Sequence, residues 1–267
     1  MIQARRRFFD SGAFDPLRDL ILEKGLRPEA LDLGNSTAPE PQASSLQPKA
    51  FPSILDCGCG EGALSGDLPG NVIGMDISKE AIRHATKRYK QATWIVANGM
   101  RELPIADRSI DFILSVLAPR NTEEFSRILK TDGKLILGVP GPNHLIELRT
   151  LLNANAGDFE EKANEAAAKC APQFAETNRE LLSYSQLLNC EQIADLIQMT
   201  PIFWTSATEA KTRVLELTKI EVTISFVLLT LVGRDPGSRL RDQESRLQQL
   251  KIKSSRKQSG RGPHSLC

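Results

Sequence analysis

Runs of apolar residues that end in polar residues or turns recur along the middle of the chain. They predict strands at residues 53–56, 71–76 and 92–98, a turn followed by a fourth, buried strand at residues 107–115, and a helix end, a turn and a fifth strand at residues 129–139. The segments between these runs have helical character. Strands that alternate with helices predict an α/β fold with a parallel, doubly wound sheet, whose binding site lies at the carboxyl ends of the strands.

Two further apolar runs, residues 219–223 and 226–232, are expected to form an antiparallel pair that closes the sheet. The segment at 28–52 is rich in Pro, Ser and Ala, which is typical of a linker. We therefore predict an N-terminal helical arm with its linker at residues 1–50, one folded domain at 51–234, and a basic, disordered tail at 235–267.

The turn after the first predicted strand carries the candidate chemistry. Its glycines Gly58 and Gly60 let the backbone approach a nucleotide-like ligand closely. Asp76 ends the second strand, where a carboxylate can accept hydrogen bonds from both ribose hydroxyls. Asn98 and Gly99 end the third strand and are expected to contact an adenine. These positions indicate a ligand that contains adenosine.

Two acidic residues beside the glycines narrow the choice of ligand. The spacing of Gly58, Gly60 and Ala63 also fits a dinucleotide fingerprint, and an ordinary strand-to-helix turn is a second alternative. Asp56 and Glu61 would repel a pyrophosphate, but they suit a ligand with an ammonium group and no phosphate. This favours S-adenosylmethionine (SAM) as the cofactor.

The motif D-C-G-C-G-E-G at residues 56–62, Asp76 and the L-K-x-x-G-K turn resemble class I SAM-dependent methyltransferases over residues 51–234. A narrower resemblance is to the bacterial 23S rRNA guanine methyltransferases, which modify the imino nitrogen of a hairpin-loop guanine. The segments that carry it are residues 1–6, 9–12, 16–19, 118–119, 140–148 and 198–201. The resemblance implies a Rossmann-like seven-stranded sheet, SAM as the cofactor and rRNA as the partner.

The resemblance also implies roles for single residues. His144 would reach the methionine end of SAM, with a purely structural histidine as the alternative. Phe14 stands where the family has a tyrosine that closes over the cofactor. The backbone around Ala118 and Pro119 would accept hydrogen bonds from the base, and Trp204 would either line the substrate pocket or pack against the sheet. No residue is identified as a catalytic base.

That family begins with a zinc-binding module of three cysteines and a histidine, ahead of the segment that opens here at Met1. The five cysteines of this chain form no C-x-x-C pair, so we predict no metal site. Without such a module the methyl-transfer core is still expected, whereas RNA binding would need another source of affinity.

Composition predicts a cytoplasmic protein with no membrane partner. At 267 residues and 40% hydrophobic content the chain can bury one core, and it has no apolar run of membrane-spanning length. Residues 28–233 contain 19 basic and 26 acidic residues, whereas residues 234–267 contain nine basic and three acidic. Because RNA affinity depends largely on Lys and Arg, electrostatic attraction would come from the ends of the chain or from a local basic patch.

Three functions stay open from the sequence. An rRNA guanine methyltransferase is preferred, because of the family-specific segments. A SAM-dependent small-molecule methyltransferase is favoured by the acidic core, and a non-catalytic SAM-binding protein is the third alternative. A homodimer is also left open.

Overall fold

The computed structural model describes residues 1–26, 51–154 and 159–234. One seven-stranded sheet organises them, and its strands are β1 Ser53–Cys57, β2 Asn71–Asp76, β3 Thr93–Val96, β4 Ile110–Val116, β5 Leu129–Pro140, β6 Phe174–Asn189 and β7 Lys219–Gly233. The strand order is β3-β2-β1-β4-β5-β7-β6. Strands β1 to β5 run parallel, and β7 is antiparallel to both of its neighbours. The predicted Rossmann-like, seven-stranded α/β fold is confirmed.

Helices cover both faces of the sheet. They are α1 Ile2–Asp10, α2 Asp15–Leu26, α3 Lys79–Arg88, α4 Thr122–Ile128, α5 Ile146–Leu151, α6 Phe159–Cys170, α7 Cys190–Met199, α8 Pro201–Thr205 and α9 Thr208–Leu215. Polar side chains cap several helix starts, because the first N–H groups of a helix have no partner within it. Ser78 Oγ accepts from the Ala81 N–H at 3.2 Å at the start of α3, and Asn189 forms a capping box with Gln192 at the start of α7.

Two hydrophobic cores follow from the alternation of side chains along the strands. On one face, α1, α2, α5, α7 and α9 pack against strand residues that include Leu114, Phe226 and Leu228. On the other face, α4 and α6 pack against strand residues that include Ile113 and Leu229. Because successive side chains of a strand point to opposite faces, β4 and β7 each contribute to both cores.

The closing part of the sheet differs from the prediction. Residues 219–223 and 226–232 are not two paired strands but parts of the single strand β7. Ile224 and Ser225, between them, are fully buried and continue the ladder with β6, so no turn interrupts the strand. Strand β7 pairs with β5 on one side and with β6, which was not predicted, on the other. Residues 129–132 also differ, because α4 ends at Ile128 and β5 begins at Leu129.

The fold places the candidate site at the point where the strand order reverses. Strand β1 lies between β2 and β4, so the loops that follow β1 and β4 diverge and leave a crevice at the carboxyl edge of the sheet. Helices α1 and α2 lie where the helical arm was predicted, whereas the linker and the basic tail fall outside the described residues. None of the helices in the described part of the chain combines the length and the apolar composition that a membrane span requires.

Candidate cofactor and substrate site

The glycine-rich turn after β1 forms the floor of the site. Gly58 and Gly60 have φ angles of 87° and 55°, in the left-handed region that favours glycine. The Gly58 N–H donates to the carbonyl of Met75 at 2.7 Å, which ties the turn to β2. A Cβ atom at Gly58 would lie 2.3 Å from the Cβ of Ala118, so the turn also touches the loop after β4. The predicted cofactor turn and the predicted substrate loop are therefore in contact.

Asp76 lies at the end of β2 and supports the turn. One carboxylate oxygen accepts from the Gly60 N–H at 2.9 Å, and the other accepts from the Ser78 N–H at 2.8 Å. Each carboxylate oxygen has a further lone pair, so two ribose hydroxyls can still donate to this side chain. The position fits the ribose of an adenosine cofactor.

Two acidic side chains, one at the end of β1 and one within the turn, are largely buried. Burial raises the pKa of Asp56 to about 6, while the nearby Arg5 acts in the opposite direction. Glu61 is 6% exposed, and its Oε1 atom is buried without a hydrogen-bond partner. A buried carboxylate oxygen of this kind requires a donor, because an unpaired one is costly. The ammonium group of SAM would be such a donor, so these residues fit the cofactor.

Arg5 of α1 contacts the glycine turn, and the sequence did not predict it as a candidate site residue. Its Nε atom lies 3.6 Å from Glu61 Oε2, and a Cβ atom at Gly60 would lie 2.6 Å from its Nη1. Helix α1 thus brings a guanidinium directly over the glycine turn. No spacing rule points to Arg5, because it lies far from the turn in sequence and reaches it only through the packing of α1 on α7.

His144 lies on the loop after β5 and faces β7. Its Nδ1 atom accepts from the Ser225 N–H at 3.1 Å, and its ring lies 4.8 Å from that of Phe226. Burial lowers the pKa of His144 to about 4, so the imidazole is neutral at pH 7. With Nδ1 acting as acceptor, we assign the proton to Nε2, which makes this nitrogen a donor.

The same loop is tied to β7 by its backbone. The Gly141 N–H donates to Ser225 at 2.9 Å, and the Leu145 N–H donates to Thr223 at 2.7 Å. The Thr223 N–H in turn donates to Glu147 Oε2 at 2.8 Å. These bonds fix the loop against the strand.

Phe14 is buried, and its ring packs edge-on against Phe8, Phe9 and Phe226. It also borders a cavity of 190 Å³ that extends to Ala63 beside the glycine turn. Phe14 therefore belongs to the core that joins the helical arm to the loop of His144, and closure over the cofactor stays a prediction.

Asn98 and Gly99 follow β3 at the same edge of the sheet. The Asn98 side-chain oxygen accepts from the Met100 N–H at 2.9 Å, so it already stabilises this turn. A Cβ atom at Gly99 would lie 2.8 Å from Cys57 Sγ, which places Gly99 beside the end of β1. Their contact with adenine stays a prediction.

The residues predicted to bind substrate are only partly brought together. Ala118 and Pro119 follow Leu117, whose φ angle is 53° and whose N–H donates to Gly138 at 2.9 Å. Trp204 lies on α8, is 60% exposed, and donates from its indole to the Gln198 carbonyl at 3.3 Å. This exposure does not fit packing against the sheet, and a role in lining the substrate pocket stays a prediction.

The thiols of the glycine turn are not set up for reaction. Burial raises the pKa of Cys57 to about 12 and raises that of Cys59 further. Within residues 1–26, 51–154 and 159–234, no group of three or more His, Cys, Asp or Glu side chains could hold a metal ion.

Comparison with known proteins agrees with this geometry. A family model described as a methyltransferase domain matches residues 55–137. A Bacillus subtilis protein named "Putative 23S rRNA (guanine-N(1)-)-methyltransferase" is 33% identical, over 86% of this chain and 78% of its own. The 23S rRNA (guanine(748)-N(1))-methyltransferase of Streptomyces fradiae is 29% identical, over 84% of this chain and 76% of its own.

Among solved structures, a SAM-dependent methyltransferase from Thermotoga maritima is 20% identical, covers 88% of this chain and 96% of its own, and has a TM-score of 0.49. The sequence relatives, the methyltransferase domain and the glycine turn with its three acidic residues lead to one assignment. The chain belongs to the family of 23S rRNA (guanine-N(1)-)-methyltransferases, which are class I enzymes with SAM as their cofactor.

Proposed function

We propose that the protein transfers the methyl group of SAM to the N(1) imino nitrogen of a guanine in 23S rRNA. The observation that supports 23S rRNA as the substrate is the 33% identity, along 86% of the chain, to a relative named for the same reaction. The proposal places the protein in the cytoplasm, together with its rRNA.

Methyl transfer requires alignment of the acceptor nitrogen and exclusion of water more than acid or base catalysis. SAM supplies an activated methyl group when bound. Asp76 would hold its ribose, Asp56 and Glu61 would face its ammonium group, and Arg5 would lie beside its carboxylate. The contact of Ala118 with Gly58 supports this arrangement, because it sets the substrate loop directly against the cofactor turn.

The imino proton of guanine must also leave, and it would pass to solvent water as the bond between the nitrogen and the methyl group forms. His144 is a poor acceptor for it, since its Nδ1 is occupied by the Ser225 N–H and its Nε2 carries a proton. We propose that His144 orients the methionine end of the cofactor as a donor. The carbonyl groups of residues 117–119 would accept hydrogen bonds from the base and hold it in line.

Transfer of tritium from labelled SAM to deproteinised 23S rRNA tests the proposal. Reverse transcription should then stop at one guanine, because methylation at N(1) blocks Watson–Crick pairing. Asp76→Ala serves as the cofactor-site control and should lower both signals when the SAM concentration is held below the dissociation constant of the unmodified protein. Transfer to a metabolite extract but not to rRNA would establish the small-molecule alternative, and SAM binding without any transfer would establish the non-catalytic one.

A further inference from the structure

A groove of 370 Å³ lies between α1 and α3, next to the candidate cofactor site. We call it the α1–α3 groove, and its lining residues are Ile2, Gln3, Arg6, Arg7, Asp10 and His84. A smaller cavity shares Arg6 and His84 with this groove and reaches Glu61 of the glycine turn. The groove therefore leads toward the predicted methionine end of SAM.

Both walls of the groove carry positive charge. Helix α1 contributes Arg6 and Arg7, and α3 adds Arg88 beside His84. Lys87 is exposed on α3, three residues after His84 and therefore on the same side of the helix. Asp10 is the acidic residue of the lining, and it pairs with Arg88 and lies 3.7 Å from Arg6.

Part of this charge is available to a partner. Arg7 is bound to the buried Asp195, whereas Lys87 forms no ion pair with any residue that the structure describes. A larger cleft of 490 Å³ at the amino-terminal edge of the sheet also carries cations, and two of them are held by acidic side chains. There Arg127 pairs with Glu124 and Asp107, and Lys130 pairs with Asp111. In the α1–α3 groove, by contrast, the single carboxylate of Asp10 is shared by Arg6 and Arg88, so positive charge is left over for a polyanion.

We propose that the α1–α3 groove binds the phosphate backbone of the substrate RNA, beside the nucleotide that is methylated. The inference rests on the proposed function, since it assumes an RNA substrate. The α1–α3 groove would be the local basic patch that a protein with an acidic core needs in order to bind RNA. Lys and Arg side chains that neutralise phosphates supply most of the affinity for RNA.

The test replaces one cation on each wall in the full chain, as Arg6→Gln with Lys87→Gln. Binding to transcribed 23S rRNA is measured by filter retention over a series of salt concentrations. Each lost phosphate contact lowers the slope of log K against log salt by about 0.7 to 0.9, so the double variant should lose about 1.5 from the slope. At 0.1 M salt this corresponds to roughly 30-fold weaker binding.

The matched control is Arg108→Gln with Lys169→Gln, which removes two exposed cations away from the groove. The control should keep the affinity and slope of the unmodified protein, and both variants should keep its SAM affinity. If the groove variant and the unmodified protein bind RNA with equal affinity, the proposal that the groove binds RNA is wrong, even where methyl transfer to rRNA is intact. If the unmodified protein binds no RNA, both the RNA-binding role of the groove and the proposed function are wrong.

Discussion

Removal of the Asp76 carboxylate is the sharpest test of the cofactor site. In the structure this side chain accepts from the Gly60 and Ser78 N–H groups, and it has capacity for two ribose hydroxyls. Asp76→Ala would remove the ribose contacts and also leave the glycine turn without its anchor. Hydrogen bonds to a charged group contribute about 1.5 to 3 kcal/mol, so SAM should bind about tenfold to 150-fold more weakly.

Calorimetric titration with SAM measures the change in dissociation constant, and the same titration is repeated with 5′-methylthioadenosine. This ligand keeps the ribose but lacks the amino-acid end, so Asp76→Ala should weaken both ligands. Ser78→Ala is the matched control, because it removes the cap at Ala81 and costs about 1 kcal/mol of stability without touching the ribose site. A folded Asp76→Ala protein with an unchanged dissociation constant for SAM would refute the assignment.

Four further outcomes are expected. Arg5→Ala should weaken SAM about tenfold but leave 5′-methylthioadenosine unchanged, by calorimetry, because the guanidinium would contact only the amino-acid end. SAM affinity should fall as the pH drops through about 6, where Asp56 takes up a proton, and Asp56→Asn should flatten this profile. Because the pKa of Asp56 is higher in the folded protein than in the unfolded chain, the protein without SAM should lose thermal stability as the pH rises from about 4 to 6. Gly58→Ala should lower turnover and melting temperature, because its Cβ would meet Ala118. Removing residues 238–267 should leave SAM affinity intact but weaken RNA binding and flatten its salt dependence, and an unchanged salt slope would show a passive tail.

The parts of the site that sequence could predict are local. The glycine turn and Asp76 follow from chemistry within a short stretch of chain, where a strand, a turn and a second strand fix the geometry. Arg5 could not be found in this way, because its position depends on how α1 packs against α7. Exposure of Trp204 likewise depends on the placement of α8.

In the sheet, too, the features set by local sequence could be predicted, whereas those that depend on distant parts of the chain could not. Four of the five parallel strands carry buried apolar residues that sequence patterns reveal, and β3 is apolar although none of its residues is fully buried. Strand β6 was missed because it is an edge strand with many polar, exposed residues, such as Glu176, Asn178 and Arg179. The unbroken course of β7 was missed because a polar Ser225 in its middle suggested an end, although it is buried within the ladder.

The backbone bonds between β7 and the His144 loop have a consequence for exchanging parts among relatives. Thr223 and Ser225 hold residues 141–147 from a strand about eighty positions away in sequence. In a chimera that takes the loop from one relative and the strand from another, the orientation of the histidine would be set by a strand that did not evolve with its loop. Loop and strand should therefore be swapped as one cassette.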